Sequence, residues 1–316
     1  MTAKAGEVPT SAEGDQLRRR LLEGQNRDGG WPYQPGFARQ TSQKSSWTEP
    51  TAWALLALAA RNQDPRDPAY GTGCSWLLNK QRPDGGWAPH PDVDTTTSVT
   101  SLAVLALSQS PLRGDALGPG VQWILRHEYQ ETPALERFAY RLLGASPPKA
   151  PGGSPWFPGT AAWIAPTAMS VLALSRFVNP ASAGIPERTQ LRSAIQRAQR
   201  YLLSRRCRDG GWNHGGSAFR SEDAESYPEM TGIALLALPD EPNAPLQKPL
   251  SLAAAFLNRR QPAGALSWLQ LALLKHGRAI PPSGAPPVCR NYLDISLRLI
   301  ALAGVETGNP PRFLVA

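Results

Sequence analysis

Residues 81–107 read QRPDGGWAPHPDVDTTTSVTSLAVLAL, which is a Gly-rich turn ending in Trp87, a polar segment and an apolar run. The turn recurs as QNRDGGW at 25–31 and RCRDGGW at 206–212, and two weaker copies follow the same pattern. The copies end at Trp31, Trp87, Trp156, Trp212 and Trp268. These tryptophans are spaced by 56, 69, 56 and 56 residues. A fixed period of this length is the signature of a repeat architecture, here with one insertion.

Each repeat predicts two helices. The segments before the turns, such as LRRRLLEGQ at 17–25 and CSWLLNKQ at 74–81, are amphipathic and suit a water-facing helix. The segments after the polar stretch, such as PTAWALLALAA at 50–60, are apolar almost all round and predict a buried helix. YLDISLRLIALAG at 292–304 predicts one more buried helix. The Asp-Gly-Gly turn is easily formed because glycine adopts left-handed backbone at little cost.

Five or six such helical pairs predict an all-α fold. Water-facing outer helices around buried inner helices are typical of a closed α/α toroid of about a dozen helices, with an open solenoid as the alternative. We expect residues 15–316 to form this single toroid domain. We expect residues 1–14 to be a disordered N-terminus, since the segment is polar.

Composition excludes several protein classes. Hydrophobic residues make up 41% of the 316 residues and charged residues 18%, which excludes a charge-rich disordered chain. The start of the sequence lacks the apolar core of a secretory signal, so a cytoplasmic location is expected. The net charge of +8 allows an anionic partner such as a diphosphate or an acidic membrane surface. Since no nucleic-acid-binding motif accompanies it, we expect peripheral membrane contact at most and no nucleic acid.

The turn Q-x-x-D-G-G-W, followed by an inner helix of the type T-A-W-A-L-L-A-L, resembles the repeat of squalene–hopene and oxidosqualene cyclases. The same toroid occurs in protein prenyltransferase β-subunits and class II diterpene cyclases. The resemblance covers about residues 15–305. It implies an apolar isoprenoid ligand and no cofactor. Because the resembled cyclases enclose substrate between two α domains, it also implies a homodimer or a second subunit that closes the cavity.

Asp92-Val93-Asp94-Thr95-Thr96 is similar to the D-x-D-T-T motif of protonation-initiated terpene cyclases. The resemblance implies that Asp94 is the general acid and that Asp92 and Thr95 support it. An alkene is a poor base, so its protonation needs a strong acid with a partner that stabilises the anion left behind. The alternative is that these residues cap the following helix.

The segments between each Trp and its inner helix should cluster at one end of the barrel. They supply an aromatic and acidic rim suited to an apolar ligand. The candidate substrate-binding residues are Trp47, Glu49, Trp53, His90, Trp163, Tyr227 and Glu229. Glu49 and Glu229 are also explained as first-turn acids that favour the helix dipole.

We expect no metal site. Cys207, Asp209 and His214 lie close in sequence, but they lack the spacing of a zinc site. The three cysteines, Cys74, Cys207 and Cys289, are also too scattered for a disulfide framework.

Two functions remain. The first is a protonation-initiated terpenoid cyclase that acts on a polyprenyl substrate. The second is a non-catalytic toroid that binds an apolar ligand or a partner protein. The position of the Asp94 carboxylate relative to an apolar cavity should discriminate between them.

Overall fold

The computed structural model describes residues 11–34, 45–61, 67–112, 114–128, 142, 152–178, 185–215, 224–239, 246–281 and 286–315. In this part of the chain the α-helices are α1 (Ala12–Glu23), α2 (Thr48–Ala60), α3 (Pro68–Asn79), α4 (Val99–Leu107), α5 (Leu117–Arg126), α6 (Ile164–Ser175), α7 (Arg188–Ser204), α8 (Pro228–Ala237), α9 (Gln247–Leu257), α10 (Ala263–Lys275) and α11 (Tyr292–Thr307). Gly114–Ala116 and Arg312–Leu314 are short 3-10 helices. Strands β1 (Ser154–Pro155) and β2 (Ala162–Trp163) pair as an antiparallel hairpin.

The apolar helices form a closed inner ring. In order around the ring they are α2, α4, α6, α8, α10 and α11, and α11 packs back against α2. Helix α2 buries every residue from Pro50 to Leu58, as a helix that is apolar all round must. Outer helices cover the ring from outside: α3 packs on α2 and α4, and α9 packs on α8 and α10. The predicted closed toroid is therefore confirmed, and the open solenoid is excluded.

The three turns that carry the full Asp-Gly-Gly-Trp sequence attach each outer helix to its inner helix through tryptophan. Trp31, Trp87 and Trp212 are fully buried. The indole Nε1 of each donates to a carbonyl ten residues earlier, on Leu21, Leu77 or Leu202, at 2.7–2.8 Å. The backbone N–H of each donates to a threonine hydroxyl of the inner helix at 2.8–3.1 Å. These anchor threonines are Thr51, Thr100 and Thr231.

The turn aspartate links neighbouring repeats. Asp84 accepts hydrogen bonds from the Gly86 amide at 2.9 Å and the Thr96 hydroxyl at 2.6 Å. It also accepts from Nε1 of Trp123 on α5, the next outer helix, at 3.1 Å. Gly85 has φ of 91°, and a Cβ there would lie 2.5 Å from the Pro119 carbonyl oxygen. The Asp-Gly-Gly sequence therefore serves packing between repeats.

Both weaker copies of the turn were misplaced by the sequence analysis. In the first, Ser154 occupies the position predicted for Trp156, since its N–H donates to the Thr167 hydroxyl at 2.8 Å. Trp156 lies instead between β1 and β2 and is 42% exposed. In the second, Trp268 lies within α10 and is buried, because this inner helix begins directly after Pro262.

The N-terminal boundary also differs from the prediction. Helix α1 begins at Ala12, and the Ser11 hydroxyl caps it by accepting from the Gly14 amide at 3.2 Å. Residues 12–14, which we expected to be disordered, are therefore helical. The remainder of that predicted segment, residues 1–10, lies outside the described residues.

Candidate active site at the mouth of the toroid

Every inner helix begins at the same end of the barrel, called here the mouth, because the turns connect outer helices to inner ones at that end. Two residues before the anchor threonines Thr51 and Thr231 lie Glu49 and Glu229. A Cβ built on Gly264 of α10 would lie 4.0 Å from Glu229 Oε1 and 3.9 Å from Asp294 Oδ1 of α11. The first turns of three neighbouring inner helices thus converge on one space.

The carboxylate layer is the set Glu49, Glu229 and Asp294. Partial burial of the carboxyl group raises the pKa of Glu229 above the ordinary glutamate value. His214 opposes this effect, while the charges of Asp294 and Glu49 raise the pKa further. Glu229 remains exposed at the mouth, so a ligand can reach it. Glu229 thus lies within electrostatic reach of both Glu49 and Asp294.

Glu49 has a fixed partner on one oxygen. The Tyr33 hydroxyl donates to Glu49 Oε2 at 2.6 Å. Burial raises the pKa of Glu49, and the hydrogen bond from Tyr33 offsets part of that rise. Burial, together with the nearby Glu49 charge, raises the pKa of the Tyr33 hydroxyl in turn. The pair therefore provides a carboxyl group that keeps its proton to higher pH than usual, with a donor ready to stabilise its anion.

Aromatic rings surround these acids. Trp47 lies against Tyr33, with ring centroids 5.3 Å apart, and against His90 at 4.5 Å. On the other side of the mouth, His214 and Tyr227 are 5.2 Å apart. Faces of aromatic rings attract cations electrostatically. The mouth therefore combines protonatable carboxyls with surfaces that stabilise positive charge.

The remaining predicted substrate-binding aromatics lie around this region. Trp53 is buried one turn below the mouth, where it packs edge-on against Trp268 at 5.3 Å. Trp163 is the residue before α6 and its carbonyl accepts from the Thr167 hydroxyl at 2.6 Å. The hairpin that ends at Trp163 also carries the exposed side chains of Trp156 and Phe157. The rim is thus partly apolar and open to solvent.

The predicted acid segment lies outside the carboxylate layer. Asp92, Asp94 and Thr95 are exposed, and the Asp92 side chain is 89% exposed while lying 3.5 Å from His90 Nδ1. Helix α4 begins only at Val99, after Ser98 at the N-cap position. The capping interpretation of Asp92 and Asp94 is therefore wrong. The assignment of Asp94 as acid stays a prediction.

Sequence reasoning missed Tyr33 and Asp294. Asp294 lies two residues before Ser296, just as Glu49 lies two residues before Thr51. Aligning the inner helices on the hydroxyl residue of the first turns would have found it, although the Ser296 hydroxyl, unlike that of Thr51, accepts no backbone N–H from the described residues. Tyr33 carried no comparable signal, because its contact with Glu49 depends on the path of the loop after Trp31.

The described residues hold no group of three or more His, Cys, Asp or Glu side chains arranged to bind a metal ion. Asp209, considered for zinc, accepts instead from the Gly211 amide at 3.0 Å and the Ser226 hydroxyl at 2.7 Å. Among the helices of the described ranges, none has the length and apolar character needed to cross a membrane.

Comparison with known proteins gives relatives in sequence. The family model of the squalene-hopene cyclase C-terminal domain matches residues 12–93. A drimenyl diphosphate synthase from Streptomyces showdoensis is 27% identical over 237 residues, which is 75% of this chain. The match spans 38% of the length of that curated relative.

Solved structures give relatives in fold. A variant of the type II terpene cyclase MstE from Scytonema, in complex with its substrate geranylgeranyl dihydroxybenzoate, has a TM-score of 0.55 and 16% identity. The match covers 93% of this chain and 77% of that one. A glycosidase variant matches over 100% of both chains with a TM-score of 0.56 and 12% identity. Such likeness establishes the toroid.

Proposed function

We propose, from the premise that this chain has the repeat and the toroid of the squalene cyclase and prenyltransferase superfamily, that it is a protonation-initiated (class II) terpenoid cyclase. Its substrate would be a polyprenyl chain. The observation that carries the proposal is the half-buried Glu49 carboxyl, hydrogen-bonded to Tyr33 at 2.6 Å at the aromatic mouth.

The Glu49–Tyr33 pair meets the requirements of alkene protonation. With Tyr33 donating to Oε2, the acidic proton of Glu49 is carried on Oε1. Transfer of that proton to a terminal alkene leaves a carboxylate that the Tyr33 hydroxyl stabilises. The carbocation formed would lie beside the rings of Trp47 and Tyr33, whose faces favour positive charge. Loss of a proton from a neighbouring carbon ends the reaction, so the product is an isomer of the substrate.

The sequence motif offers a second acid for the same reaction. Asp94, supported by Asp92 and Thr95, would need to move from its exposed position to reach an enclosed substrate. Glu49 needs no such movement, which is why we place the acid there. Parallel substitution of the two carboxylates separates these assignments.

The test is product formation from squalene, farnesyl diphosphate and geranylgeranyl diphosphate, measured beside a thermal melt. We expect Glu49→Gln to lose turnover by about 100-fold or more while still folding, because glutamine keeps the acceptor for Tyr33 but has no acidic proton. Asp94→Asn and the control Glu187→Gln, at an exposed position, should turn over like the wild type.

Two other outcomes redirect the proposal. Loss of turnover in Asp94→Asn but not in Glu49→Gln would return the acid to Asp94. Absence of turnover by the wild type on all three substrates would favour a non-catalytic toroid that binds an apolar isoprenoid ligand or a partner protein.

A cyclase must also exclude water from its carbocations, since water quenches them. We therefore propose that a homodimer or a second subunit covers the mouth. We also propose that the protein is cytoplasmic and that its rim makes peripheral contact with the membrane. Exposed Trp156, Phe157 and Tyr227 on the rim support a covered mouth. Sedimentation of the active protein tests this, and a strictly monomeric species that cyclises substrate would refute it.

A further inference from the structure

The outer surface of α7 carries a row of exposed arginines. Arg188, Arg192 and Arg200 follow the four-residue spacing of neighbours on a helix surface, with the exposed Gln196 at the intervening position. These three arginines are called here the basic row. Since an α-helix rises about 1.5 Å per residue, the row extends over about 18 Å. It is therefore long enough to face several turns of another helix.

Acids do not balance the row within its own segment. Residues 188–208 contain seven arginines and no Asp or Glu. The outer helix α1, by contrast, combines its three arginines with three acids. A large part of the net charge of +8 thus lies on α7 and the turn that follows it.

Contacts within the fold account for Arg197, which lies beside the row, but not for the row itself. Arg197 donates to the two carboxylate oxygens of Glu128 at 2.8 and 2.6 Å. Arg192 and Arg200 have no carboxylate partner in the described part of the chain. Arg188 and Arg192 lie four residues apart, a spacing at which like charges destabilise a helix. Helix stability does not explain this arrangement, which points to a contact outside the chain.

The neighbouring outer helix continues the positive surface. The exposed Lys248 of α9 donates through its ammonium to the Arg208 carbonyl at 2.7 Å, in the turn after α7. The acids at the borders of the surface are Glu187 before α7 and Asp209 after Arg208. The Asp209 carboxylate is engaged in its own turn, where it accepts from the Ser226 hydroxyl at 2.7 Å.

The residue types of this surface favour a protein partner. The exposed side chains of α7 are Arg, Thr, Gln and Ser. A helix that lies on a membrane turns an apolar face to the lipid, whereas the apolar face of α7, with Leu191 and Leu202, is buried in the barrel. Single-stranded nucleic acids are bound with aromatic side chains that stack on bases, and none is among the exposed residues of α7. Carboxylates on a polar protein surface require neither feature.

We propose that the basic row is a docking surface for an acidic helix of a partner protein, with carboxylates at every fourth position. Arginine binds a carboxylate through two parallel N–H···O hydrogen bonds, so the equal spacing on the two helices gives the contact its register. No residue of the row belongs to the mouth, and docking there does not depend on the proposed cyclase activity.

Fluorescence anisotropy of a labelled helical peptide with Glu at every fourth position tests the row. We expect the wild type to bind this peptide more tightly than a peptide of the same composition whose glutamates are distributed around the helix. The double variant Arg192→Gln, Arg200→Gln should bind about tenfold more weakly, since two exposed ion pairs contribute on that order. The matched control is Arg19→Gln, Arg27→Gln, which removes two exposed charges elsewhere and should bind like the wild type.

Three results would overturn the proposal. The first is no binding of the peptide by the wild type, or equal binding by the wild type and the Arg192→Gln, Arg200→Gln variant, with thermal melts showing that both proteins are folded. The second is equal affinity for the two peptides, which would reduce the effect to net charge. The third is tighter binding, dependent on Arg192 and Arg200, to single-stranded DNA or to phosphatidylglycerol vesicles, which would assign the row to a nucleic acid or to a membrane.

Discussion

Glu49 and Thr51 lie two residues apart in the first turn of α2 and have different roles. Thr51 accepts the backbone N–H of Trp31 at 2.9 Å and so attaches the turn to the inner ring. Glu49 faces the mouth, where Tyr33 is its hydrogen-bond partner. A residue that holds the turn and a carboxyl group that faces the mouth thus lie within one short segment, which explains why the repeat motif alone says little about activity.

The protonation of Glu49 should be visible in stability. Burial raises its folded-state pKa above the ordinary value of 4.5, so the folded protein binds this proton more tightly than the unfolded chain. The resulting stabilisation is fully present below pH 4.5 and is lost as pH rises through the folded pKa. Glu49→Gln carries no charge at any pH and avoids that loss.

We therefore expect Glu49→Gln to melt at a higher temperature than the wild type at pH 8, with the difference shrinking towards pH 4. Thermal melts at several pH values measure this, with Glu187→Gln as control. A difference that does not vary with pH would contradict a raised pKa at Glu49.

At the scale of the helical pair, the buried tryptophan of the turn packs where the outer helix meets the inner helix. Its indole N–H donates to a carbonyl of the preceding helix. Trp87→Ala should cost about 3–5 kcal/mol of the free energy of unfolding, as for large aromatics in cores. Trp87→Phe keeps most of the packing but loses the bond to the Leu77 carbonyl, so it should cost less. Urea denaturation measures both, and an unchanged stability of Trp87→Ala would refute the role of the turn.

Asp84, the aspartate of the second turn, should make the stability of its helical pair depend on pH. Burial alone would raise the pKa of Asp84, but hydrogen bonds from Thr96, the Gly86 amide and Trp123 lower it overall. Its stabilisation is present above the unfolded value of 3.8 and is lost as pH falls through the folded pKa. We expect Asp84→Asn to melt below the wild type at pH 7 and to approach it below pH 3. A difference in melting temperature between Asp84→Asn and the wild type that persists at low pH would show that the Asp84 charge does not stabilise the fold.

The helical pairs were predictable because their pattern is local: amphipathic segment, glycine turn and apolar segment recur along the chain. The third turn was misplaced by two residues because Ser154, which has no sequence signal, replaces the tryptophan. The site was less predictable. Glu49 and Glu229 were named from the sequence as candidate substrate-binding residues, and that role stays a prediction. The contact of Tyr33 with Glu49 and the approach of Asp294 to Glu229 depend on how distant segments converge.

At the scale of the whole molecule, two largely enclosed ion pairs join α11, the last α-helix, to α1 and to the end of α2. Arg298 of α11 donates to both carboxylate oxygens of Glu13 on α1, at 2.8 and 3.0 Å, and to Gln270 on α10 at 2.9 Å. Arg61, at the end of α2, lies 3.1 Å from Glu306 of α11. These contacts lie where the ring closes.

Removing the charge of Glu13 leaves the buried guanidinium of Arg298 without its counter-charge. Glu13→Gln should therefore cost about 3 kcal/mol of the free energy of unfolding. The double variant Glu13→Gln with Arg298→Met should recover part of the loss, because the unpaired guanidinium is gone. Urea denaturation of the single and double variants measures this, and a double variant less stable than Glu13→Gln would contradict the charge explanation.

Closure of the inner ring has a consequence for how the protein comes apart. An open solenoid can fray from either end, one unit at a time, and so passes through partly folded states. Here α11 packs on α2, so every inner helix has two inner neighbours and no repeat is terminal. Removal of any one helical pair exposes apolar faces on both sides of the gap. The toroid should therefore unfold cooperatively, with all helical pairs lost in a single transition and without partly folded states that lack one repeat.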